Sequence, residues 1–481
     1  MKNHALRRRL FSNVFYMAFF ACLLATASVF GLSERDAVLA AIKSNPGLRI
    51  LFINRIGDSL TLAATRVAWL PTVSLSAKES IVPIDTSASS RSNNSRTETS
   101  AGISAAQKVP GGGTAQASFG PSWTTYSLTD SIASSLNLSA SITQPLLRNA
   151  WALGSQDVAI RLAVLDSRRS LLDAKKQLVG TVSEIRRLYW SLYQAQKSAG
   201  IYDLEIEYSR KNLDATRKRF EVGAAAPLDT LEAKLEYLQT LQRQSGEQRR
   251  LLQAQRDLAL ALALPADAAV ADTTQIDTVY APPAPGTFLS ECEKIDPGLA
   301  VFSLLKEKYD LQLRQSRNQL LPQLDASVSF SQSMGGDAAP DVFKSRNASI
   351  ALIVNYALPI TPQRIAVRRA GLTMQKNNID WEQYRTSLER KIAELWETLD
   401  LDKNDLVIAG ASLDVARKKL DAASAGRTVG SVDYLTYLKA RTDFTNTALE
   451  YLNKLIELKR LEISFDEVSG MVLSRFGVSI E

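Results

Sequence analysis

Residues able to do covalent or metal chemistry are scarce in this chain of 481 residues: one histidine, His4, and two cysteines, Cys22 and Cys292. Histidine is the usual neutral base and the commonest metal ligand. Its confinement to position 4 leaves no Ser-His-Asp or Cys-His arrangement and no zinc cluster. If the N-terminus is removed, a single cysteine remains and no intrachain disulfide can form. No catalytic residue, cofactor or metal site is therefore predicted. What remains is chemistry without bond making. Asp229 and Glu232 follow a glycine turn, and their three-residue step puts both carboxylates on one helix face. Asp433 follows a second such turn. Asp229 also fits a plainer role, as a helix N-terminal acid complementing the macrodipole.

Those turns sit in a chain with 22% charged and 45% apolar residues, a composition able to bury a core. The formal net charge is +7, but Lys2, Arg7, Arg8 and Arg9 precede any acid. Without these four the charge falls to +3, so the basic balance does not argue for nucleic acid. MKNHALRRR reads as the basic start of an export signal and LFSNVFYMAFFACLLATASVF as its apolar stretch. Ala25-Thr26-Ala27 supplies the small-residue cleavage site, giving a signal peptide over 1–27. Phe19-Phe20-Ala21-Cys22 lacks the leucine of a lipobox, so lipidation at Cys22 is not the expectation. No later stretch is apolar enough to span a membrane as a helix. Any insertion must then be by strands.

The chain is written twice. Asn45-Pro46-Gly47-Leu48 returns as Asp296-Pro297-Gly298-Leu299, and Leu70-Pro71 returns as Leu321-Pro322 at the same spacing. Asn45 and Asp296 suit the N-cap, where a side-chain oxygen accepts from orphan amides, and proline suits N1. The Leu-Pro pairs stop each helix after about 24 residues, because the residue before proline is pushed out of the α region. Alternation follows each stop. Val73, Leu75 and Ala77 alternate with Thr72, Ser74 and Ser76, and Leu324, Ala326, Val328 and Phe330 alternate with Asp325, Ser327, Ser329 and Ser331. This is the half-buried strand signature. Further strands are expected near 135–142 and 349–360. The first copy also carries Pro110-Gly111-Gly112-Gly113, able to turn an extra hairpin, so the count is four strands or a few more.

Each copy then enters a very long helix, about 150–221 and about 362–425, each on the order of 100 Å at 1.5 Å per residue. Such length with three-and-four apolar spacing predicts coiled coil. The long helices end at RFEVGAAAPLD (219–229) and ASAGRTVGSVD (423–433), and return helices follow over about 228–262 and 432–466. The resulting division is a first repeat over 28–263, an irregular connection over 264–286, a second repeat over 287–466 and a C-terminal segment over 467–481.

About four strands cannot close on themselves, and unpaired edges are excluded from a bilayer. If these strands enter lipid, several chains must share one barrel. Trp69, Trp123, Tyr126, Trp151 and Tyr356 near strand ends resemble an interfacial girdle. A small water-soluble sheet packed on helices is the rival. Taken in this order and twice over, the paired helix starts, Leu-Pro stops and glycine turns, with Gln144-Pro145-Leu146-Leu147 entering the first long helix, resemble the TolC family of outer-membrane efflux and secretion channels. The resemblance covers the whole chain after the signal. It implies a mainly α fold with β, in which the duplicated strand-plus-long-helix units of a homotrimer build an α-barrel tunnel joined to a shared transmembrane β-barrel. It implies an outer-membrane location reaching into the periplasm. The equatorial belt falls on 264–295 and the C-terminus, and the implied partners are a periplasmic adaptor and an inner-membrane transporter of RND or ABC type. Family members do no chemistry of their own.

The resemblance also places the helix-to-helix turns at the periplasmic tip. Val222, Gly223 and Ala224 match one turn and Arg427, Val429 and Gly430 the other, as adaptor-docking residues. Around a threefold axis Asp229, Glu232 and Asp433 would form a negative constriction favouring cations. Thr436 and Lys439 stand opposite Asp229 and Glu232 in the second copy, so the acidic tier is not duplicated. Arg427 is expected to pair with an acid of a neighbouring helix. Against the conduit stand a non-conducting coiled-coil tether and, with less in its favour, an exported enzyme.

Overall fold

A computed structural model of the chain describes residues 31–83, 95–126, 131–264, 271–272, 282, 284–336, 343–429 and 431–477. The signal peptide, Cys22, most of the 264–286 connection and Gly430 lie outside the described residues. The chain divides into two compact units. One gathers the described residues of Met1–Phe52, Ala174–Asp296 and Arg385–Glu481, the other Ile53–Asp173 and Pro297–Tyr384.

The helices stand where the paired sequence marks put them. They are α1 (Glu34–Ser44), α2 (Pro46–Val67), α3 (Ser155–Glu221), α4 (Pro227–Ala261), α5 (Pro285–Ile295), α6 (Pro297–Asn318), α7 (Thr361–Thr428), α8 (Tyr434–Ser469) and the short α9 (Val472–Arg475). Asn45 Oδ1 accepts from the Leu48 amide at 3.1 Å, which caps α2 behind the N1 proline. Helices α3 and α7 run 67 and 68 residues without a break. Three helices went unread in the sequence: α1 and α5, of 11 residues each, which precede the repeated NPGL and DPGL starts, and the four-residue α9. No helix among the described residues is long and apolar enough to cross a membrane.

In the first unit the core is apolar and aromatic. Trp190, Phe288, Phe465, Leu178, Ile185 and Leu458 are fully buried. Phe465 meets Phe288 and Trp396 edge-on, each with ring centroids 5.5 Å apart. A charged cluster lies beside this core. The Arg186 guanidinium, its side chain 3% exposed, donates to Glu34 and, at 2.7 Å, to Asp466. Arg475 reaches Asp466 and Glu462, so α9 is tied to α8 by the same carboxylates. Burial works against the Arg186 charge, but Glu34 and Asp466 outweigh it and hold the group more firmly protonated than usual.

The second unit holds an antiparallel sheet of six strands in chain order: β1 (Thr72–Pro83), β2 (Ser95–Val109), β3 (Gly113–Tyr126), β4 (Ser131–Pro145), β5 (Gln323–Gly336) and β6 (Phe343–Asn355). The open count thus resolves to six strands in this sheet, four from the first copy and two from the second; among the described residues the first unit adds only a short parallel pair, Gly31–Leu32 with Ala271–Asp272. Register places Ser74, Ser104, Ser118, Ser139, Ser331 and Asn347 in one row on one face. Leu75, Ile103, Phe119 and Leu138 form the adjacent row on the other face. The apolar face is bare: Leu75 is 79% and Ile350 86% exposed. β1 and β6 are edges with no pairing partner on their outer side among the described residues.

Candidate functional site

The two turns share a five-residue backbone hydrogen bond. After α3 the Gly223 amide donates to Phe220 at 2.9 Å and the Ala224 amide to Arg219 at 2.7 Å, while Gly223 adopts φ +71°. This is a Schellman closure, in which a left-handed residue lets the last carbonyls find donors. After α7 the Ser431 amide donates to Gly426 at 2.8 Å, the same five-residue reach. Both turns present bare apolar side chains: Val222 and Val429 are each 78% exposed. A Cβ built on Gly223 would meet nothing within 4 Å, so the space beside it is open.

The acids stand apart from one another. Asp229 Oδ2 accepts from the Ala226 amide at 3.0 Å and so closes the start of its own helix, α4. Glu232 is exposed one turn on, and Asp433 is exposed at the N-cap of α8. A hydrogen bond from the Thr436 side chain holds the Asp433 carboxyl below the usual carboxylate range. No hydrogen bond or ion pair among the described residues joins Asp229, Glu232 and Asp433.

Arg427 has other company than an acid of its own chain. Its guanidinium lies 4.7 Å from the ring centre of Tyr434 and 5.1 Å from that of Tyr437, and donates to Asn212 Oδ1 at 3.1 Å. Its Nη1 is buried without a partner. Asn212 Nδ2 donates in turn to the Tyr434 hydroxyl, and that hydroxyl donates to Glu236. Arg441, its side chain 3% exposed, donates to the other Glu236 oxygen. Burial, reinforced by the Glu236 carboxylate, pushes the Tyr434 phenol well above its ordinary range. Glu205 lies buried nearby, with one carboxylate oxygen lacking a partner. Burial raises its pKa, Glu236 adds to the rise, and Arg441 and Arg243 oppose it. One polar tie therefore joins α3, α4, α7 and α8.

Sequence reasoning found Arg427 but missed Asn212, Glu236, Tyr434, Arg441 and Glu205. A signal was there. Aligning the turns sets Arg427, Tyr434, Tyr437 and Arg441 opposite Phe220, Pro227, Thr230 and Lys234. The two copies differ at each of these four positions.

The arrangement has no nucleophile beside a base and no cluster of metal-ligating side chains among the described residues. A family model described as outer membrane efflux protein matches residues 114–264 and 289–470. The chain belongs to the outer membrane efflux protein family. That membership places it in the outer membrane, among channels that are not enzymes. Solved structures share its fold. The Campylobacter jejuni CmeC outer membrane channel superposes with a TM-score of 0.69 at 13% identity, over 91% of this chain and 85% of that one. The outer membrane protein VceC from Vibrio cholerae gives 0.67 at 12%, over 91% and 96%. The open state of the Neisseria gonorrhoeae MtrE outer membrane channel gives 0.63 at 12%, over 91% and 88%. No curated protein matches the chain.

Proposed function

We propose that this efflux-family protein works as a homotrimeric exit duct, for efflux or type I secretion, driven by an inner-membrane transporter of RND or ABC type through a periplasmic adaptor. One observation carries the reading: an amphipathic sheet with two open edges and a bare apolar face. Such a sheet can sit in lipid only if neighbouring copies close its edges. Each strand has 12 to 15 residues, more than the roughly 9–11 that cross a bilayer. In this reading the signal peptide over 1–27 is removed, and the repeats over 28–263 and 287–466 supply strands and tunnel helices. The segments 264–286 and 467–481 then belt the tunnel.

The exposed valines at the two turns, with Leu228, Leu231 and Leu435 each 63% exposed beside them, form an apolar surface suited to an adaptor hairpin. Val222, Gly223, Ala224, Val429 and Gly430 are its docking residues, and Arg427 braces it from within. Asp229, Glu232 and Asp433, tripled by the axis, set a cation preference. The duct is tested by fractionation and conductance: the protein should partition with outer membranes and give ion conductance in planar bilayers. Outer-membrane protein that forms trimers but conducts nothing would instead favour the coiled-coil tether. For docking, Gly223→Trp with Gly430→Trp should abolish adaptor pull-down while leaving the trimer intact, and undiminished pull-down would reject the assignment.

A further inference from the structure

The duplication by itself provides one strand pair per copy; the hairpin of β2 and β3 is surplus to it. We propose that this hairpin is part of the membrane wall, so that three copies close a barrel of eighteen strands with a largely hydroxyl-lined lumen that admits bulky hydrated solutes. The inference rests on the trimeric duct argued above.

Four observations support it. First, β2 and β3 are laddered along their length to the strands flanking the hairpin: β2 pairs β1 from Thr72↔Ala106 to Pro83↔Ser95, and β3 pairs β4 from Thr114↔Thr143 to Tyr126↔Ser131. A hairpin lying off the wall would leave β1 and β4 paired with each other instead. Second, the hairpin keeps the two-faced pattern of its neighbours. Ile103 and Phe119 are 51% and 48% exposed on the apolar face, and serine hydroxyls bridge on the other, Ser74 to Ser104 and Ser118 to Ser139, both at 2.7 Å.

Third, its tight turn is keyed into the junction where β4 leads to α3. The Gly111 carbonyl accepts from the Trp151 amide at 2.9 Å and from Gln144 Nε2 at 2.8 Å. Gly111 and Gly112 take φ of +85° and +87°, and a Cβ on Gly112 would fall 2.2 Å from the Asn149 carbonyl oxygen. Only glycine fits there. Fourth, six is an even number. β1 and β6 therefore run in opposite senses, and β6 of one copy meets β1 of the next in antiparallel fashion, as a closed barrel requires.

The consequence is width. Strands about 4.8 Å apart and tilted about 40° close eighteen-fold at a backbone diameter of about 36 Å, against about 24 Å for twelve. The cross-section roughly doubles. The face carrying the serine row bears charge at Lys78, midway along β1, and otherwise toward its ends, at Arg96, Glu98, Lys108 and Asp325. The other positions between the ends are serine, threonine, asparagine, glutamine, alanine and glycine, so apart from Lys78 the lumen discriminates by size rather than by sign.

The hairpin can be removed without disturbing register, because Ser74 and Ser139 already lie in one row. Deleting residues 95–126 lets β1 pair β4 directly. Electron cryomicroscopy of the full chain in lipid nanodiscs should show eighteen strands in the unaltered trimer and twelve in the deletion. Polyethylene glycols added from the strand side of a planar bilayer should show an exclusion radius about 1.5 times larger for the unaltered protein. A twelve-stranded wall in the unaltered trimer, or the same exclusion radius for both proteins, overturns the inference and leaves the duct standing. A protein that forms no membrane trimer at all overturns both. If the deletion variant does not assemble, the strand count of the unaltered trimer still decides.

Discussion

Glu205 is the least comfortable ionisable group of the described residues: 4% exposed, one oxygen unpaired, and raised in pKa by burial despite Arg441 and Arg243. A carboxyl raised in the folded state binds its proton more tightly there than in the unfolded chain. Its charging therefore costs stability as pH climbs from about 4.5 through the raised folded value. Glu205→Gln should raise the dissociation temperature of the trimer at pH 7, and the gain should vanish below about pH 4.5. An equal gain at both pH values would show that packing, not charge, is at stake. Cys292 makes a second test. Burial, with Asp296 and Glu291 adding to it, pushes its thiol up to about 12, so little thiolate exists at neutral pH. Maleimide should label it at least tenfold more slowly in the folded protein than in denaturant. At this scale the sequence was a partial guide. The scarcity of histidine and cysteine could be counted from His4, Cys22 and Cys292, but the partners of Arg427 could not, because Asn212 lies 215 residues away along the chain.

Between elements, the charge cluster around Arg186 joins α1, α3, α8 and α9, and its removal has a calculable effect. Asp466→Ala leaves Arg186 and Arg475 short of a carboxylate in a buried place. Breaking such a pair costs about 3–5 kcal/mol. The expected result is a trimer that dissociates several degrees lower on a heated gel, with proteolysis starting near Arg475. A Tm unchanged within a degree would mean that Glu34 and Glu462 carry the cluster alone. Elements were the most legible level of the chain. Proline at Pro46 and Pro297, and the Leu-Pro stops, act on the backbone locally, so their effect does not depend on tertiary context. Helices α1 and α5 escaped notice because each is short and runs directly into the next helix at Asn45 or Asp296, with no loop between. The caps were nonetheless there to read: Ser33 Oγ accepts from the Asp36 amide at 3.2 Å. The hairpin of β2 and β3 was foreshadowed by Pro110-Gly111-Gly112-Gly113, yet glycine alone cannot say whether a turn is occupied by strands on both sides.

For the whole molecule, the test of the acidic constriction is selectivity. Replacing Asp229 and Asp433 by asparagine and Glu232 by glutamine should shift the reversal potential in a potassium chloride gradient toward zero. Because Asp229 also closes its own helix start, Asp229→Asn alone serves as the control for local fraying. Unchanged cation preference in the triple variant would place the selective ring elsewhere.

The bare margins of β1 and β6 reach beyond the finished assembly, to the way it is made. A solitary polypeptide arriving in the periplasm carries two ribbons of unsatisfied amides and carbonyls and a greasy flank, the combination that recruits like molecules indiscriminately. Ring closure cures both faults together, whereas any open row of copies still leaves a pair of raw borders. With the proposed trimer as that ring, biogenesis should depend on a holding chaperone until the third copy docks, and starving cells of it should produce aggregates rather than a pool of dormant subunits.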